Sequence, residues 1–288
     1  MITAKAKKVG IICWPVGHSL SPVMHNTVFE ALDMDWVYLP LGTKEGDLED
    51  AIRGLKALSF EGCNISVPYK TEVIQYLDEV EETARLMNAV NTIKVADGKL
   101  IGSNTDAPGF IKHLTSEGVV PDGFNVLMIG GGGAARAALF GLSQFKINHV
   151  TVMDTVESQA VSLIQDLGAV YPANTVEYLP PTEENFAKLS ESGLDLVVNA
   201  TPVGMSPKVD ASPWPDAVAL PEGAAFFDIV YNPQATKFLA RAEAEGHKAI
   251  SGLGMLVQQG VICFETWTGI TPPVDLMEKV CLEFLNQH

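Results

Sequence analysis

Four consecutive glycines, Gly130, Gly131, Gly132 and Gly133, followed by Ala134, Ala135 and Arg136, stand between an apolar run and a helix-forming segment. Gly130, Gly132 and Ala135 fit the spacing G-x-G-x-x-[G/A]. In that pattern one glycine makes a tight turn, the next lets backbone approach a diphosphate, and a small third residue lets helix pack on strand. Amides at the start of the helix would then hold the diphosphate without a lysine. A glycine cluster by itself is also what a flexible turn looks like; here both flanks have the required character, which favours a dinucleotide site. Asp154 closes the next apolar run, 24 residues after Gly130, where an acid that bonds the adenosine ribose hydroxyls belongs. Its carboxylate accepts from a 2′-hydroxyl and repels a 2′-phosphate, and Thr155, Val156 and Glu157 supply no cation to offset that repulsion. NAD is therefore expected in preference to NADP, with capping of the next helix as the rival role for Asp154.

Earlier in the chain, hydroxyl, amide and charged residues suit a small polar anion. The segment His18-Ser19-Leu20-Ser21-Pro22 places two hydroxyls in the loop after the first strand, a neutral grip for a carboxylate near a helix N-terminus. Ser21 before Pro22 is equally a helix cap followed by proline at the first helical position. Asn64 and Ser66 fall near the C-terminal end of a strand, and Lys70 falls in the first turn of a helix begun at Pro68. A lysine there opposes the helix macrodipole, a cost that a purely structural residue would not carry, and an amine so placed suits general acid–base work. A solvated surface lysine is the plainer alternative. Asp106 precedes another helix with Pro108 near its start, so it is either an acid of the site or a cap. Asn91 and Asn104 fit ring-hydroxyl partners and turn formers equally well. The six histidines lack partners at metal-ligand spacing, so no metal is expected.

These groups need elements to position them. Residues 7–106 alternate short apolar runs with amphipathic segments: strands over 8–14, 35–41 and 62–68, helices over about 22–32 and 46–58, the grammar of a parallel α/β layer. A hairpin follows, 91–95 and 99–103, turned at Ala96-Asp97-Gly98. A second alternating set has strands over 124–130, 149–154, 194–200 and 224–230 and helices over 131–144 and 157–167. Its later strands are almost continuously apolar, as strands buried on both faces must be. The stretch from Pro202 to Pro221 reads as a long surface loop, and 255–267 and 274–285 read as helices that return to the first domain. The expected fold class is α/β with two domains: an α/β substrate domain over 1–106 completed by C-terminal helices in 252–288, and a doubly wound Rossmann domain over 107–251.

With 288 residues, 47% hydrophobic and 19% charged, the chain has the composition of a folded globular protein. The 19 basic residues face 35 acidic ones, a formal charge of -16, which repels a polyphosphate backbone and argues against nucleic acid as a partner. The same field gives no long-range attraction to an anionic substrate, so short-range donors must hold one. No apolar stretch approaches the ~20 residues of a membrane span. Cys13, Cys63, Cys263 and Cys281 show no paired spacing and read as reduced, buried thiols of a cytoplasmic protein.

Taken in order, HSLSP, NISVPYK, AVNT, GSNTD, GGGGAAR, NATPVGM, DIVYNP and GLGMLVQQG make the chain closely resemble the shikimate dehydrogenase family, which includes the quinate/shikimate dehydrogenases, from about Val9 to Thr268. The resemblance implies hydride transfer between a nicotinamide dinucleotide and a hydroxyl of a small ring carboxylic acid, by a monomer or homodimer whose two domains close on the substrate. It implies that Lys70 is the catalytic lysine and Asp106 its partner carboxylate. It assigns Ser19 and Ser21 to the ring carboxylate, and Ser66, Asn91, Tyr231 and Gln259 to the ring hydroxyls and carboxylate, with Asn64 beside them. It assigns Gly130 to Ala134 to the diphosphate, and Thr201, Ile229, Gly252 and Met255 to the nicotinamide half. Two departures stand out. Asp154-Thr155-Val156 replaces the Asn-Arg-Thr cluster of many NADP-using members, which favours NAD and leaves NADP as the alternative. Ser66 replaces a usual Thr, which brings quinate into contention as substrate. A sensor that binds ring acid and dinucleotide without turnover is the non-enzymatic alternative.

Overall fold

The computed structural model describes residues 2–173 and 175–287. The chain divides into two compact units, Met1–Gly109 together with Val257–His288, and Phe110–Leu256. The first unit opens with β1 (Lys7–Cys13), α1 (Ser21–Ala31), β2 (Trp36–Gly42), α2 (Leu48–Ala57) and β3 (Gly62–Ile65), then adds the short β4 (Glu79–Val80) and α3 (Glu82–Leu86) before the hairpin of β5 (Thr92–Ala96) and β6 (Lys99–Ser103). The strands lie in the order β2-β1-β3-β5-β6-β4. β1 pairs in parallel with β2 and β3, whereas β5 is antiparallel to both β3 and β6. Asp97 and Gly98 both take positive φ, 51° and 75°, as a two-residue hairpin turn demands.

The helix expected to start at Pro68 does not form. The Tyr69 amide donates to the Ser66 carbonyl at 2.9 Å, and the buried Tyr69 side chain is anchored through its hydroxyl to the Thr43 carbonyl at 2.7 Å. The chain therefore turns at Lys70, and only a five-residue 3₁₀ segment follows, Glu72–Tyr76. With no α-helix beginning there, the macrodipole has no part in the chemistry of Lys70.

α4 (Asp106–Ser116) leads into the second unit, with β7 (Asn125–Ile129), α5 (Gly133–Leu142), β8 (His149–Met153), α6 (Glu157–Leu167), β9 (Val176–Tyr178), α7 (Glu183–Ser190), β10 (Leu196–Asn199), β11 (Ala225–Asp228), α8 (Lys237–Ala244) and β12 (Lys248–Ser251). The sheet is wholly parallel in the order β12-β11-β10-β7-β8-β9. Strand order reverses between β7 and β10, the switch point where such sheets bind ligands. The continuous apolar runs have a direct cause: Val126, Met128, Val150, Val152, Leu196 and Val198 fill a core on one face, while Leu127, Ile129, Met153, Val197 and Phe226 fill a second core on the other. The loop over 202–221 is less superficial than its prolines suggest. Trp214 within it is buried against Phe186, edge-on at 5.0 Å, and donates to the Val218 carbonyl at 3.1 Å. α9 (Leu253–Thr268) and α10 (Val274–Gln287) end the chain.

Candidate active site

In the first unit Lys70 and Asp106, 36 positions apart, meet with Nζ 2.6 Å from Oδ2. Both side chains are largely buried, 17% and 11% exposed, so each charge depends on the other for compensation. Neighbouring residues hold the pair. The Asn104 carboxamide oxygen accepts from the Asp106 and Ala107 amides at 3.0 and 3.3 Å. The capping role open to Asp106 thus falls to Asn104, and the aspartate carboxylate is left to the lysine. The Lys70 carbonyl accepts from the Val90 amide at 2.8 Å, which ties the lysine to the segment carrying Asn91.

Beside this pair lies a buried network of amides and hydroxyls. Asn91 donates to the Thr105 hydroxyl at 2.9 Å and accepts from the Thr105 amide and the Thr92 hydroxyl at 2.8 and 2.9 Å. Asn64 on β3 accepts from the Tyr38 hydroxyl at 2.8 Å and donates toward the Asn91 carbonyl, the Thr92 hydroxyl and the Cys263 thiol. Gln259, on α9, lies 3.6 Å from the same thiol. Burial pushes the Tyr38 phenol well above its ordinary pKa, with a hydrogen bond from Ser21 partly opposing the rise. Ser21 is the first residue of α1 and is buried, with Leu20 as the cap, so it does not cap the helix. Ser19 supplies the hydroxyl that accepts from the Ser21 amide, at 3.3 Å. Ser66 follows β3 and is half-buried, its amide bonded to the Ile12 carbonyl. Tyr231 belongs to the second unit, in the loop after β11.

In the second unit the glycine cluster joins β7 to α5. Gly130 takes φ 113°, and a Cβ there would lie 2.9 Å from the Ala200 carbonyl oxygen, so the turn needs glycine on both counts. At Gly132 a Cβ would meet nothing within 4 Å. That open space is where a diphosphate can come against backbone. Gly132 is also the N-cap of α5 and makes no side-chain cap bond, so Gly131 to Ala134 lead into a helix start whose amides are free of a side-chain cap. The residues present therefore fit a dinucleotide. Asp154 accepts from the Gly131 amide through Oδ2 and from the Val156 amide through Oδ1, both at 2.7 Å. The cap of α6 is Val156, so Asp154 joins the glycine turn to the loop before α6 instead of capping it. Arg136 is committed to Asp166 and to the Ser162 hydroxyl on α6.

Thr201 follows β10, and both its amide and its hydroxyl donate to Asn199 Oδ1, at 3.0 and 2.6 Å. The Asn199 amide group donates to Asp228 at 2.9 Å, and Asp228 also accepts from the Val230 amide and the Thr236 hydroxyl. Burial pushes the Asp228 carboxyl up to about 6 against these hydrogen bonds. Gly252 packs on Ile229, whose carbonyl oxygen would lie 2.2 Å from an added Cβ. Met255 is buried in the core with Phe110 and Phe227. Tyr38, Thr92, Thr105, Cys263, Asn199 and Asp228 carry no site role in the sequence alone. A signal existed for four of them: Thr92 ends AVNT, Thr105 lies inside GSNTD, and Asn199 and Asp228 open NATPVGM and DIVYNP.

Residues 11–93 match the shikimate dehydrogenase substrate binding domain, and residues 252–282 match the shikimate 5′-dehydrogenase C-terminal domain. A shikimate dehydrogenase (NADP(+)) of Methanothermobacter thermautotrophicus is 40% identical over 289 residues, covering 100% of both chains. The shikimate 5-dehydrogenase of Listeria monocytogenes, solved with shikimate and NAD, superposes with a TM-score of 0.89 at 31% identity, covering 97% of this chain and 98% of that one. The quinate dehydrogenase of Corynebacterium glutamicum, solved with NAD, gives 0.88 at 28% identity, covering 96% and 99%.

Proposed function

The chain belongs to the shikimate dehydrogenase family, and we propose that it interconverts shikimate and 3-dehydroshikimate by hydride transfer to and from a nicotinamide dinucleotide, with NAD preferred. The observation that carries this reading is the Lys70–Asp106 pair, an amine held 2.6 Å from a carboxylate beside buried hydroxyl and amide groups. In the oxidising direction the Lys70 amine accepts the proton of the ring hydroxyl, and in the reducing direction its ammonium returns it. Asp106 holds Nζ in place and balances its charge. Ser19 and Ser21 grip the ring carboxylate with neutral donors, as a chain of formal charge -16 requires. Asn64, Ser66, Asn91, Tyr231 and Gln259 read the rest of the ring. The amides of Gly130 to Ala134 hold the diphosphate, and Thr201, Ile229, Gly252 and Met255 border the nicotinamide half. When bound, the nicotinamide supplies the two-electron acceptor or donor.

A preference for NAD sets this chain apart from the Methanothermobacter relative, which is named for NADP(+). Its support is Asp154, which would repel a 2′-phosphate, together with Arg136, whose charge is engaged by Asp166. Ser66 and the likeness to the Corynebacterium quinate dehydrogenase favour quinate as a second substrate. Four buried, unpaired thiols suit a reducing compartment, hence the cytoplasm. Among the described residues no helix is long and apolar enough to cross a membrane. Steady-state kinetics with shikimate and quinate against NAD and NADP test the whole reading, with kcat/KM expected to be highest for shikimate with NAD. A higher value for quinate reassigns the substrate, a higher value with NADP removes the coenzyme preference, and no turnover in any combination overturns the enzymatic reading.

A further inference from the structure

Cys263 stands where Asn64, Thr92, Thr105 and Gln259 come together. Its sulfur lies 3.1 Å from Asn64 Nδ2, 3.1 Å from Thr92 Oγ1, 3.2 Å from Thr105 Oγ1 and 3.6 Å from Gln259 Oε1. The thiol is fully buried, and burial raises its pKa against the opposing hydrogen bonds from Thr105, Thr92 and Asn64 and keeps it as S–H. A thiol has one weak donor and can accept. The Gln259 oxygen can only accept and the Asn64 nitrogen can only donate, so the two amides together make the direction Asn64 to sulfur to Gln259. At the other end the Tyr38 hydroxyl donates to Asn64 Oδ1 at 2.8 Å, and the Ser21 hydroxyl bonds to Tyr38.

From this arrangement, and resting on the function proposed above, we infer that Tyr38 and Cys263 are positioning residues that fix which way the Asn64 and Gln259 carboxamides face the ring acid. The chain runs head to tail: Tyr38 O–H to Asn64 Oδ1, Asn64 N–H to Cys263 Sγ, Cys263 S–H to Gln259 Oε1. The Asn64 carboxamide cannot flip without turning its oxygen onto the Asn91 carbonyl, an acceptor 3.2 Å from Nδ2, and with Asn64 donating to the sulfur, a flipped Gln259 would give up the S–H that Oε1 accepts. Gln259 and Cys263 are four residues apart on α9, so one helical turn sets their spacing.

A purely packing role for Cys263 predicts that size alone matters, and the test separates size from hydrogen bonding. Cys263→Ala is expected to raise the KM for shikimate about five- to tenfold, the equivalent of one buried hydrogen bond, with the KM for the dinucleotide unchanged. Cys263→Ser, which keeps a donor and an acceptor, is expected to recover most of that loss. Tyr38→Phe, which removes only the hydroxyl at the far end, is expected to raise the same KM a few-fold. Equal behaviour of the Ala and Ser variants, or effects confined to kcat or to the dinucleotide, would overturn the inference. Side-chain amide resonances in 15N-labelled protein give a readout independent of turnover: the Asn64 and Gln259 pairs should both move in Cys263→Ala and move less in Cys263→Ser. An unmoved Gln259 pair sinks the inference whatever the protein turns over. An inactive wild type whose resonances behave as expected sinks only the functional reading.

Discussion

In the first unit the candidate chemistry is carried by side chains that hold one another. Asn64, Asn91, Thr92, Thr105 and Cys263 are buried and mutually hydrogen-bonded, and Lys70 is bound to Asp106. In the second unit the candidate surface is main chain: the Gly132 backbone faces open space, the start of α5 has no side-chain cap, and the side chains Asn199, Asp154 and Asp228 serve to fix loops. The contrast follows from what each unit is proposed to hold. A diphosphate presents diffuse negative charge that backbone amides satisfy from a parallel sheet's switch point. A ring bearing several hydroxyls has to be read at fixed positions and directions, which requires side chains whose rotamers are already locked. The units also differ in the titratable group each buries. His25 on α1 is fully buried, stacked on Tyr38 at 4.7 Å, with neither ring nitrogen hydrogen-bonded among the described residues, and burial lowers its pKa to about 3. Asp228 is the opposite case, with its carboxyl raised to about 6.

The sharpest way to break this contrast is to remove the side chain on which the first unit is proposed to depend. Lys70→Ala should lower kcat by on the order of 10² to 10⁴ with little change in KM for either reactant; unchanged turnover in steady-state assays would take Lys70 out of the mechanism. Next in size are the two buried titrations, which act on stability with opposite signs. Between about pH 3 and 6.5 the unfolded chain binds a proton at His25 that the folded chain does not, so that contribution is lost as pH falls through the window. Between about pH 4 and 6 the folded chain holds a proton at Asp228 that the unfolded chain has released, so stability from this group falls as pH rises. At full extent the first amounts to about 5 kcal/mol and the second to about 3 kcal/mol. Melting temperatures of His25→Leu and Asp228→Asn, each compared with wild type at pH 4.5 and 7.5, should diverge from wild type in opposite directions as pH changes. A constant difference for either variant would remove that residue from the comparison.

Smaller effects sharpen the main-chain side of the contrast. Gly130→Ala imposes a side chain at φ 113° against the Ala200 carbonyl, a strain of about 1–3 kcal/mol. It should raise the dinucleotide KM and lower the melting temperature while leaving the KM for the acid near its starting value; equal damage to both KM values would erase the division of labour. Asp154→Ala should reduce the ratio of kcat/KM for NAD over NADP by roughly tenfold, the scale of one hydrogen bond to a charged group. An unaltered ratio would leave Asp154 only as the link between the Gly131 and Val156 amides.

The legible parts of the sequence were those where residue type and local spacing carry the physics. The run of glycines after an apolar strand predicted the turn at Gly130, Asp97-Gly98 predicted the hairpin, and the unbroken apolar strands predicted a sheet covered on both faces. Lys70 and Asp106 were nameable from their motifs, yet nothing local says that residues 36 positions apart end 2.6 Å from each other. The helix expected at Pro68 failed because the buried Tyr69 is anchored to Thr43, a long-range contact that no propensity contains. The short β4 and α3 give too few residues for any period to show. Cys263 read as a reduced, buried thiol because no other cysteine lies at a paired spacing; its polar neighbours come from β3, β5 and the segment before α4.

What the sequence determined by itself, then, was the order of the longer apolar strands, the glycine turn that would admit a diphosphate, and the set of polar residue types available. Tertiary structure alone decided which of those groups bond to one another and in which direction: Asn104 rather than Asp106 at the start of α4, Asp154 on the Gly131 amide, and both Asn64 and Gln259 on one sulfur. The reason is physical. Backbone conformation responds to near neighbours in the chain, whereas a buried hydrogen bond exists only once burial has removed water as the competing partner, and burial is a property of the whole fold.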